Sequence, residues 1–526
     1  AQATLAQAGS SSPGALAPAA RRAGVEGQAM RYASTRGGAR GTSFEEAISR
    51  GYAPDGGLFV PETLPRLTPE QLQAWRRLDF AGLAEAILSL FVGEELGPGE
   101  LGRLACDCYA GFSCPEVVPV RRVGGLFVAE LFHGPTFCFK DLGQQPLVRL
   151  LARFAERRGE RRTMLVSTTG DTGPAAMRAV SDSGSPSLDI VVFYPEGQIS
   201  ELQRRQMTTC SSARARVASF EGGGDDMDLP LKRLAADGAF AARHGLCGIN
   251  SYNLGRPVAQ MAHYFWTYFR VLDQQGLETG APVDIVLPAG ALGNLAAGFM
   301  ARQMGLPLRR LVAGTNSNDI THRTISAGEF HRSERMEKTL SDAINIQVPY
   351  NMERVLYYLT GEDSSLVASW MAQMEQSGRL TLSAPWLAKL QEVFGSARVD
   401  DAPMCETVRR CLDQHGYLVD PHTAVALAAA WRTYGHTPAA SAVPVAVLAT
   451  ASPCKFEASI TEAIGPARWA TYAAGADFPA AARALLAAEE RPFGRLRSQG
   501  PLAASQAAWE AEVRRLLGDG PAAARL

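Results

Sequence analysis

The sequence lacks the features that mark membrane, disulfide-bonded and zinc-binding proteins. It contains no run of about 18 apolar residues, so no transmembrane helix is predicted. Its nine cysteines are scattered and form no CxxC pair, so we expect neither a disulfide framework nor a metal site. The 52 basic residues nearly cancel the 53 acidic ones, which predicts no general attraction to nucleic acid or to a membrane surface. We therefore expect a cytoplasmic protein with reduced thiols.

The first 29 residues differ in composition from the rest of the chain. Residues 1–29 are rich in Ala, Ser, Gly and Pro, and their basic residues are Arg21 and Arg22. We interpret them as a disordered leader or a non-native extension, with a mitochondrial targeting segment, and hence a mitochondrial protein, as the weaker alternative. Met30 opens a globular pattern and is the expected biological start.

The remaining chain is too long for a single core, and its patterns predict three parts. Residues 30–115 mix short turns with helical periodicity and predict a small N-terminal domain. Residues 116–465 alternate strand and helix patterns and predict an α/β region of two subdomains. Residues 466–526 are rich in Ala and Arg at helical spacing and predict a helical C-terminal tail.

The α/β region contains near-continuous apolar runs separated by helical patterns. Such runs predict mostly parallel sheets covered by helices on both faces. Ligands of these sheets bind beyond the carboxyl ends of the strands, so the residues that follow each run are candidate site residues. The predicted strands are 163–168, 189–195, 283–289, 308–316 and 443–451.

Three of the predicted strands end in loops of small residues. Such residues allow backbone N–H groups to point at an anion near a helix N-terminus. An ordinary strand-to-helix turn, capped by Asp171 or Thr172, explains the first loop equally well. The second loop has neither the nucleotide P-loop pattern nor the dinucleotide glycine pattern, and a cradle for one phosphate stays open. The loops are STTGDTG (167–173), PAGALGN (288–294) and ATASP (449–453).

Lys140 lies among Phe137, Cys138 and Phe139 in the segment HGPTFCFKD. An apolar setting favours the neutral, nucleophilic amine that a Schiff-base lysine requires. The alternative is an exposed lysine at the start of a helix, paired with Asp141.

Taken together, these segments resemble the threonine synthase family of fold-type II pyridoxal-phosphate (PLP) enzymes. HGPTFCFKD, TTGDTG, PAGALGN and ATASPCKF occur in that family's order, and the resemblance extends over about residues 30–463. GYAPDGGLF, QMAHYF, NDITHRT and IQVPYNMERV are similar to the vertebrate threonine synthase-like branch. The resemblance implies a tryptophan synthase β-like α/β fold with a threonine-synthase-type N-terminal domain.

The resemblance also implies PLP as cofactor and a role for each segment. Lys140 would form the Schiff base and act as the proton-transferring base, and Thr450 would face the pyridine nitrogen. A neutral hydroxyl there favours elimination and replacement over transamination. The cofactor phosphate would be held by the backbone of Gly290, Ala291, Leu292, Gly293 and Asn294. The substrate carboxylate would be received by Thr168, Thr169, Gly170, Asp171, Thr172 and Gly173.

A phosphorylated substrate requires a cation in its pocket. Arg256 is the first candidate, although a role in a structural salt bridge explains this arginine equally well. His322 and Arg323 are weaker candidates.

The sequence departs from the family at several positions. Thr169 replaces the usual serine, Leu292 is bulkier than its counterpart, and Pro453 and Cys454 stand where small residues are usual. Other fold-type II enzymes often have Asn in the loop position of Asp171, which leaves the partner of the cofactor's phenolic oxygen unassigned.

Three functions follow as hypotheses. The first is a PLP-dependent carbon–oxygen lyase that eliminates phosphate from O-phosphohomoserine, O-phosphothreonine or O-phosphoserine, giving 2-oxobutyrate or pyruvate and ammonia. The second is a threonine synthase, which adds water and releases threonine. The third is a catalytically inactive binding protein. In each enzymatic case the expected partner is a small phosphorylated amino acid, bound by a monomer or homodimer.

Overall fold

The computed structural model describes residues 30–224, 226–436 and 443–518. The predicted leader, residues 1–29, lies outside the described residues, as do the final residues of the predicted tail, 519–526. Among the described residues, no helix is long and apolar enough to cross a bilayer.

The N-terminal part consists of helices beside a two-stranded antiparallel ribbon. Asp79 accepts a hydrogen bond from the Gly82 N–H, which caps the first turn of the longest of these helices. Leu83, Ile87 and Phe91 repeat at helical spacing along it and are buried. The elements are β1 (Tyr32–Ser34), α1 (Phe44–Arg50), β2 (Phe59–Pro61), α2 (Pro69–Trp75), α3 (Phe80–Val92) and α4 (Glu100–Tyr109).

The larger sheet has six strands in the order β13-β10-β9-β14-β4-β3. All neighbours pair in parallel except β3 and β4, which form an antiparallel pair at one edge. Its strands are β3 (Val120–Val123), β4 (Leu126–Glu130), β9 (Val283–Pro288), β10 (Leu308–Thr315), β13 (Phe394–Arg398) and β14 (Val445–Ala449).

The smaller sheet has five parallel strands in the order β15-β7-β6-β5-β8. Its edge strand β15 comes from the C-terminal stretch for which only helices were predicted, and Trp509 and Val513 of that stretch are buried beside it. The strands are β5 (Arg162–Ser167), β6 (Leu188–Pro195), β7 (Ala215–Phe220), β8 (Leu246–Cys247) and β15 (Gly494–Leu496). A further antiparallel pair is β11 (Glu329–His331) with β12 (Arg379–Thr381).

Helices cover the sheets, and the helix at Gly255–Gln275 is buried along most of its length. The helices of the α/β region and beyond are α5 (Lys140–Arg158), α6 (Thr172–Ser183), α7 (Glu201–Thr208), α8 (Asp228–Ala236), α9 (Gly238–His244), α10 (Gly255–Gln275), α11 (Gly293–Gln303), α12 (Ile320–Ala327), α13 (Met352–Leu359), α14 (Ser364–Ser377), α15 (Ala384–Val393), α16 (Asp401–His415), α17 (Pro421–Tyr434), α18 (Glu457–Ile464), α19 (Pro466–Ala474), α20 (Ala480–Ala487) and α21 (Leu502–Leu516).

The predicted α/β class with mostly parallel sheets is confirmed. All five predicted strands exist, as β5, β6, β9, β10 and β14, with ends within two residues of the prediction. Their near-continuous apolar sequences reflect burial on both faces, and every residue of β9 and β14 is buried.

Candidate active site

One cavity lies where the carboxyl ends of β5, β9 and β14 approach the start of α5. It is lined by residues from all four predicted segments and from the loop that precedes α10. Of the predicted site residues, those that line it are Lys140, Thr168, Thr169, Asp171, Thr172, Arg256, Gly290, Ala291, Leu292, Gly293, Asn294 and Thr450.

The two remaining predicted residues, Gly170 and Gly173, shape the loop after β5 rather than line the cavity. The Thr168 hydroxyl accepts hydrogen bonds from the N–H groups of Gly170, at 3.1 Å, and Gly173, at 3.0 Å. Gly170 has a φ of 127°, and a Cβ there would lie 2.4 Å from Gln203 Oε1, so only glycine fits. Within the described chain, no acceptor is found for the N–H groups of Thr169, Asp171 and Thr172, so these groups are available as donors to an anion.

Lys140 is the first residue of α5, and only 15% of its side chain is exposed. Its Nζ lies 5.4 Å from the centroid of the Phe139 ring and 3.7 Å from Asp171 Oδ2. Asp141 instead accepts hydrogen bonds from the Thr136 N–H and hydroxyl, at 2.8 and 2.7 Å. The structure therefore has a largely buried lysine that faces the cavity, and the alternative of an exposed lysine paired with Asp141 is wrong.

Asp171 is held by a second lysine, Lys455, which the sequence analysis did not single out. Lys455 Nζ lies 2.7 Å from Asp171 Oδ1 and donates to the Thr136 carbonyl at 3.0 Å. Gln203 Nε2 also donates to Asp171 Oδ1, at 3.0 Å. Burial alone would raise the pKa of Asp171, but the positive charges of Lys455 and Lys140 outweigh burial and lower that pKa below its usual range. Asp171 is therefore a carboxylate.

The loop after β9 has the geometry of an anion cradle. Leu292 adopts the left-handed conformation with φ 62°, and α11 begins at the next residue, Gly293. In the part of the chain that the structure describes, the backbone N–H groups of residues 290–294 have no acceptor. Asn351 Nδ2 donates to the Ala291 carbonyl at 3.0 Å. Free N–H groups at a helix N-terminus suit a phosphate.

Asn294 closes the cradle on its buried side. Its Oδ1 lies 2.9 Å from His263 Nε2, and its Nδ2 is buried without a partner among the described residues. Burial lowers the pKa of His263 to about 4, despite the opposing hydrogen bond to Asn294. His263 is therefore neutral, with Nε2–H as the donor.

Thr450 is fixed through its backbone and presents its hydroxyl to the cavity. Its N–H donates to Thr423 Oγ1 at 3.2 Å, and its carbonyl accepts from the Phe139 N–H at 2.8 Å. For the hydroxyl, the described residues supply no hydrogen-bond partner. A ring nitrogen that accepts a hydrogen bond fits this position.

Arg256 is almost fully buried and lines the cavity without a carboxylate partner in the described ranges. Its Nη1 donates to the Ile249 carbonyl at 3.1 Å, while Nε has no hydrogen-bond partner among the described residues. Burial lowers the pKa of the guanidinium to about 10, which still leaves it charged at neutral pH. The salt-bridge interpretation of Arg256 is therefore wrong, because no carboxylate of the described residues pairs with its guanidinium.

The weaker cation candidates lie elsewhere. His322 Nδ1 is 3.0 Å from Ser396 Oγ, and Arg323 pairs with Asp319 at 2.8 Å. Neither residue lines the cavity.

Several functional residues were not predicted. Lys455 does not line the cavity but contacts Asp171, which does, and its only sequence signal was its position beside Cys454 and Phe456. Unpredicted lining residues with polar side chains include Asn250, Ser251, Gln260, Tyr350 and His422.

Comparison with known protein families accounts for most of the chain. Residues 31–109 match the threonine synthase N-terminus family, and residues 116–372 match the pyridoxal-phosphate dependent enzyme family. Residues 423–494 match the threonine synthase C-terminal family.

Individual relatives agree with these families. Threonine synthase-like 2 from Homo sapiens is 41% identical over 82% of this chain and 89% of its own length. Threonine synthase from Pseudomonas aeruginosa is 36% identical over 82% of this chain and 90% of its own length.

Solved structures give the same result. A PLP-bound threonine synthase from Brucella melitensis has a TM-score of 0.81 and 33% identity, over 92% of this chain and 100% of that chain. The yeast threonine synthase also has a TM-score of 0.81, with 30% identity, over 93% of this chain and 99% of that chain.

The residues present fit PLP. A buried amine, a row of free backbone donors and an unpartnered hydroxyl face one cavity, and they match the aldehyde, phosphate and ring nitrogen of that cofactor. The cofactor is pyridoxal 5′-phosphate, and the chain belongs to the threonine synthase family of PLP-dependent enzymes.

Proposed function

We propose that this enzyme is a phospho-lyase that eliminates phosphate from O-phosphohomoserine, O-phosphothreonine or O-phosphoserine. The products are 2-oxobutyrate, or pyruvate from O-phosphoserine, together with ammonia and phosphate. The observation that carries the proposal is the buried, carboxylate-free Arg256 in the same cavity as Lys140. A buried cation without an ionic partner destabilises the protein, so a negatively charged ligand best explains it.

The cofactor is assigned to three groups of this chain. Lys140 Nζ would hold its aldehyde group, the N–H groups of residues 290–294 would hold its phosphate, and the Thr450 hydroxyl would donate to its ring nitrogen. When bound, PLP supplies an electron-withdrawing group that makes the substrate Cα proton removable.

The loop after β5 is assigned to the substrate carboxylate. The free N–H groups of Thr169 and Thr172 are its donors. Asp171 would repel a carboxylate on its own, but Lys455 balances its charge at 2.7 Å, so the loop can receive an anion.

The remaining steps use Lys140 and Arg256. Lys140 removes the Cα proton with its amine nitrogen and returns a proton to the departing phosphate oxygen, which leaves from Cβ of O-phosphothreonine or O-phosphoserine. In O-phosphohomoserine the phosphate is on Cγ, so a Cβ proton is also removed before it leaves, and a proton is added at Cγ to give the enamine. Arg256 presents its guanidinium to the phosphate and stabilises the charge that develops as the carbon–oxygen bond breaks. The enamine that leaves the site then hydrolyses to a 2-oxo acid and ammonia.

Threonine synthase activity is the second candidate, and the likeness to the Pseudomonas aeruginosa, Brucella melitensis and yeast threonine synthases favours it. The higher identity to threonine synthase-like 2, at 41%, and the segments similar to that branch support the lyase, because phosphate elimination is the activity that the resemblance to the branch implies. The two reactions share phosphate loss and differ in whether water is added before release.

Product analysis decides between the candidates. The PLP-loaded enzyme is incubated separately with O-phosphohomoserine, O-phosphothreonine and O-phosphoserine, and phosphate, 2-oxo acid and threonine are quantified. The lyase yields 2-oxo acid and phosphate in equal amounts. Threonine as the main product from O-phosphohomoserine, without 2-oxobutyrate, rejects the lyase in favour of the synthase. Absence of phosphate release from all three rejects both and supports a binding protein.

A further inference from the structure

Arg354 is a fully buried arginine outside the cavity lining, and it joins three separate parts of the chain. Its Nε donates to the Phe59 carbonyl at 3.2 Å, in β2 of the N-terminal part. Its Nη1 donates to the Ser251 carbonyl at 2.9 Å, and its Nη2 donates to the Tyr252 carbonyl at 2.5 Å. One planar guanidinium thus spans the N-terminal part and the loop that leads into α10.

The neighbouring residue, Glu353, anchors the N-terminal part to the same helix, α13. The Thr35 hydroxyl donates to Glu353 Oε1 at 2.5 Å. Arg36 donates to both carboxylate oxygens of Glu353, with Nε at 3.0 Å and Nη2 at 2.9 Å. This two-pronged pair is largely buried, with 16% of the Arg36 side chain and 6% of the Glu353 side chain exposed, so it fixes geometry as well as charge.

The loop that Arg354 holds is the one that presents the proposed phosphate ligand. Ser251 and Tyr252 lie between Asn250 and Arg256, and Asn250, Ser251 and Arg256 all line the cavity. The Tyr252 ring also stacks on Tyr52 of the N-terminal part, with ring centroids 4.1 Å apart. Arg354 therefore holds this loop at its backbone, and Tyr52 of the N-terminal part holds it at the Tyr252 ring.

Only an arginine can make this junction. A guanidinium carries five N–H donors in one plane, while an ammonium has three donors around a single atom. Arg354 has no carboxylate partner within the described ranges, and its remaining hydrogen bond goes to Asn351 Oδ1 at 2.6 Å. Burial lowers the pKa of Arg354 to about 10. A cation buried among carbonyl groups is costly, which argues for a specific positioning task.

We propose that Arg354 is a positioning residue through which the N-terminal domain sets the place of the loop Asn250–Arg256, and thereby the affinity of the cavity for a phosphorylated group. This inference rests on the proposed function, in which Arg256 binds the substrate phosphate. Residues 30–115, none of which lines the cavity, thus control how tightly the cavity holds its anion.

The test compares Arg354→Lys, Arg36→Met and the wild-type enzyme, all loaded with PLP. The measurements are KM and kcat for O-phosphothreonine, the dissociation constant of inorganic phosphate, and cofactor content by visible absorbance. Arg216→Lys is the matched control, because Arg216 also donates to a backbone carbonyl, that of Leu516, but far from the loop. The control is expected to equal the wild type in all four measurements.

In R354K, we expect KM and the phosphate dissociation constant to rise roughly tenfold, about the value of one lost hydrogen bond to a charged group. We expect cofactor content to be unchanged and kcat to change less than about threefold. The proposal is overturned if R354K has the same KM and the same phosphate dissociation constant as the wild type. It is also overturned if R354K differs from the wild type only by a lower cofactor content.

Arg36→Met decides the matter if R354K does not fold. It removes the ion pair between Arg36 and Glu353. A rise of about threefold in KM and in the phosphate dissociation constant supports the proposal, while unchanged values of both overturn it. The phosphate measurement needs no turnover. A wild type that binds phosphate but releases none from the three substrates therefore counts against the proposed function and not against the role of Arg354.

Discussion

Lys455 Nζ lies 2.7 Å from Asp171 Oδ1, while Lys140 Nζ lies 3.7 Å from the other oxygen of the same carboxylate. Lys455 is fully buried and Asp171 nearly so. Lys455 is therefore the cationic partner that Asp171 keeps, while Lys140 is the partner that takes part in the proposed reaction. When the Lys140 amine engages the cofactor, Lys455 still balances Asp171, and no unpaired buried charge arises.

Replacing Lys455 by Met leaves Asp171 without its close partner and should strongly destabilise the protein. Loss of one member of a buried ion pair costs about 3–5 kcal/mol, which urea unfolding at pH 7 measures. The double variant Lys455→Met with Asp171→Asn should recover at least half of that loss. Lys389→Met, at an exposed lysine over Trp386, is the control and should stay within about 0.5 kcal/mol of wild type. A K455M variant within about 1 kcal/mol of wild type would contradict the pairing argument.

Replacing Arg256 by Gln should stabilise the folded protein and weaken its binding of substrate. Removal of the buried cation should raise the free energy of unfolding by about 1–3 kcal/mol at pH 7, since burial has lowered its pKa to about 10. The same change should raise KM for a phosphorylated substrate about 100-fold, the value of a charge-assisted contact to phosphate. Steady-state kinetics and urea unfolding give the two numbers. Arg323→Gln, at the arginine paired with Asp319, should leave KM unchanged, and a destabilised R256Q with normal KM would show a structural role instead.

His263 should make the folded protein sensitive to acid. The histidine is neutral in the fold because burial lowers its pKa to about 4, against 6.5 for the free side chain. Between pH 6.5 and pH 4 the unfolded chain binds a proton that the folded chain refuses, so stability falls as pH falls through this window and is fully present above it. From pH 7 to pH 5 this group should account for a loss of about 2 kcal/mol.

The measurement for His263 is urea unfolding at pH 7 and pH 5. Gln can still donate to Asn294 Oδ1 but carries no titrating proton, so His263→Gln should lose about 2 kcal/mol less than wild type over that interval. His415→Gln, at an exposed histidine, is the control and should follow the wild type. Identical pH dependence in H263Q and wild type would show that His263 does not titrate with folding.

Gly293 is required by the close approach of the cradle to the loop before α10. A Cβ at Gly293 would lie 2.4 Å from Ser251 Cβ, so Gly293→Ala should cost about 1–3 kcal/mol through overpacking. Ser251→Gly removes the opposing atom, and the double variant should be at least about 1 kcal/mol more stable than the two single losses predict.

The control for this pair is Gly290→Ala. A Cβ at Gly290 would meet its nearest neighbours, Ile344 and Ile346, at 3.4 Å, an ordinary contact, so the cost should stay below about 0.5 kcal/mol. Thermal unfolding of the cofactor-free protein compares all the variants. Additive losses for G293A and S251G would show that the two loops do not touch.

Local chemistry and hydrophobic pattern predicted much of this site from the sequence. The strands before the three loops were predicted because both of their faces are buried, which gives uninterrupted apolar runs. For Lys140 the apolar neighbours Phe137 and Phe139 left an exposed lysine open as an alternative, and its role followed from the resemblance of the four segments together to the threonine synthase family.

Features that depend on distant parts of the chain were not predicted. Lys455 donates to a carbonyl 319 positions earlier, and Arg354 donates to one 295 positions earlier. Such contacts produce no local sequence pattern, because the hydrogen bonds of each side chain are made to residues far away in the sequence. Strand β15 was missed for a related reason, since its three residues are too few to show alternation and only pairing with β7 makes them a strand.

The pairing of β15 with β7 has a consequence for biosynthesis. Strand β7 leaves the ribosome early, and one of its edges stays open until Gly494–Leu496 has been made. An open strand edge is a template for pairing with other chains. A chain that stops before β15 would therefore contain Lys140 and Asp171 of the candidate site. It would nevertheless be prone to aggregate through the unpaired edge of β7 in the smaller sheet.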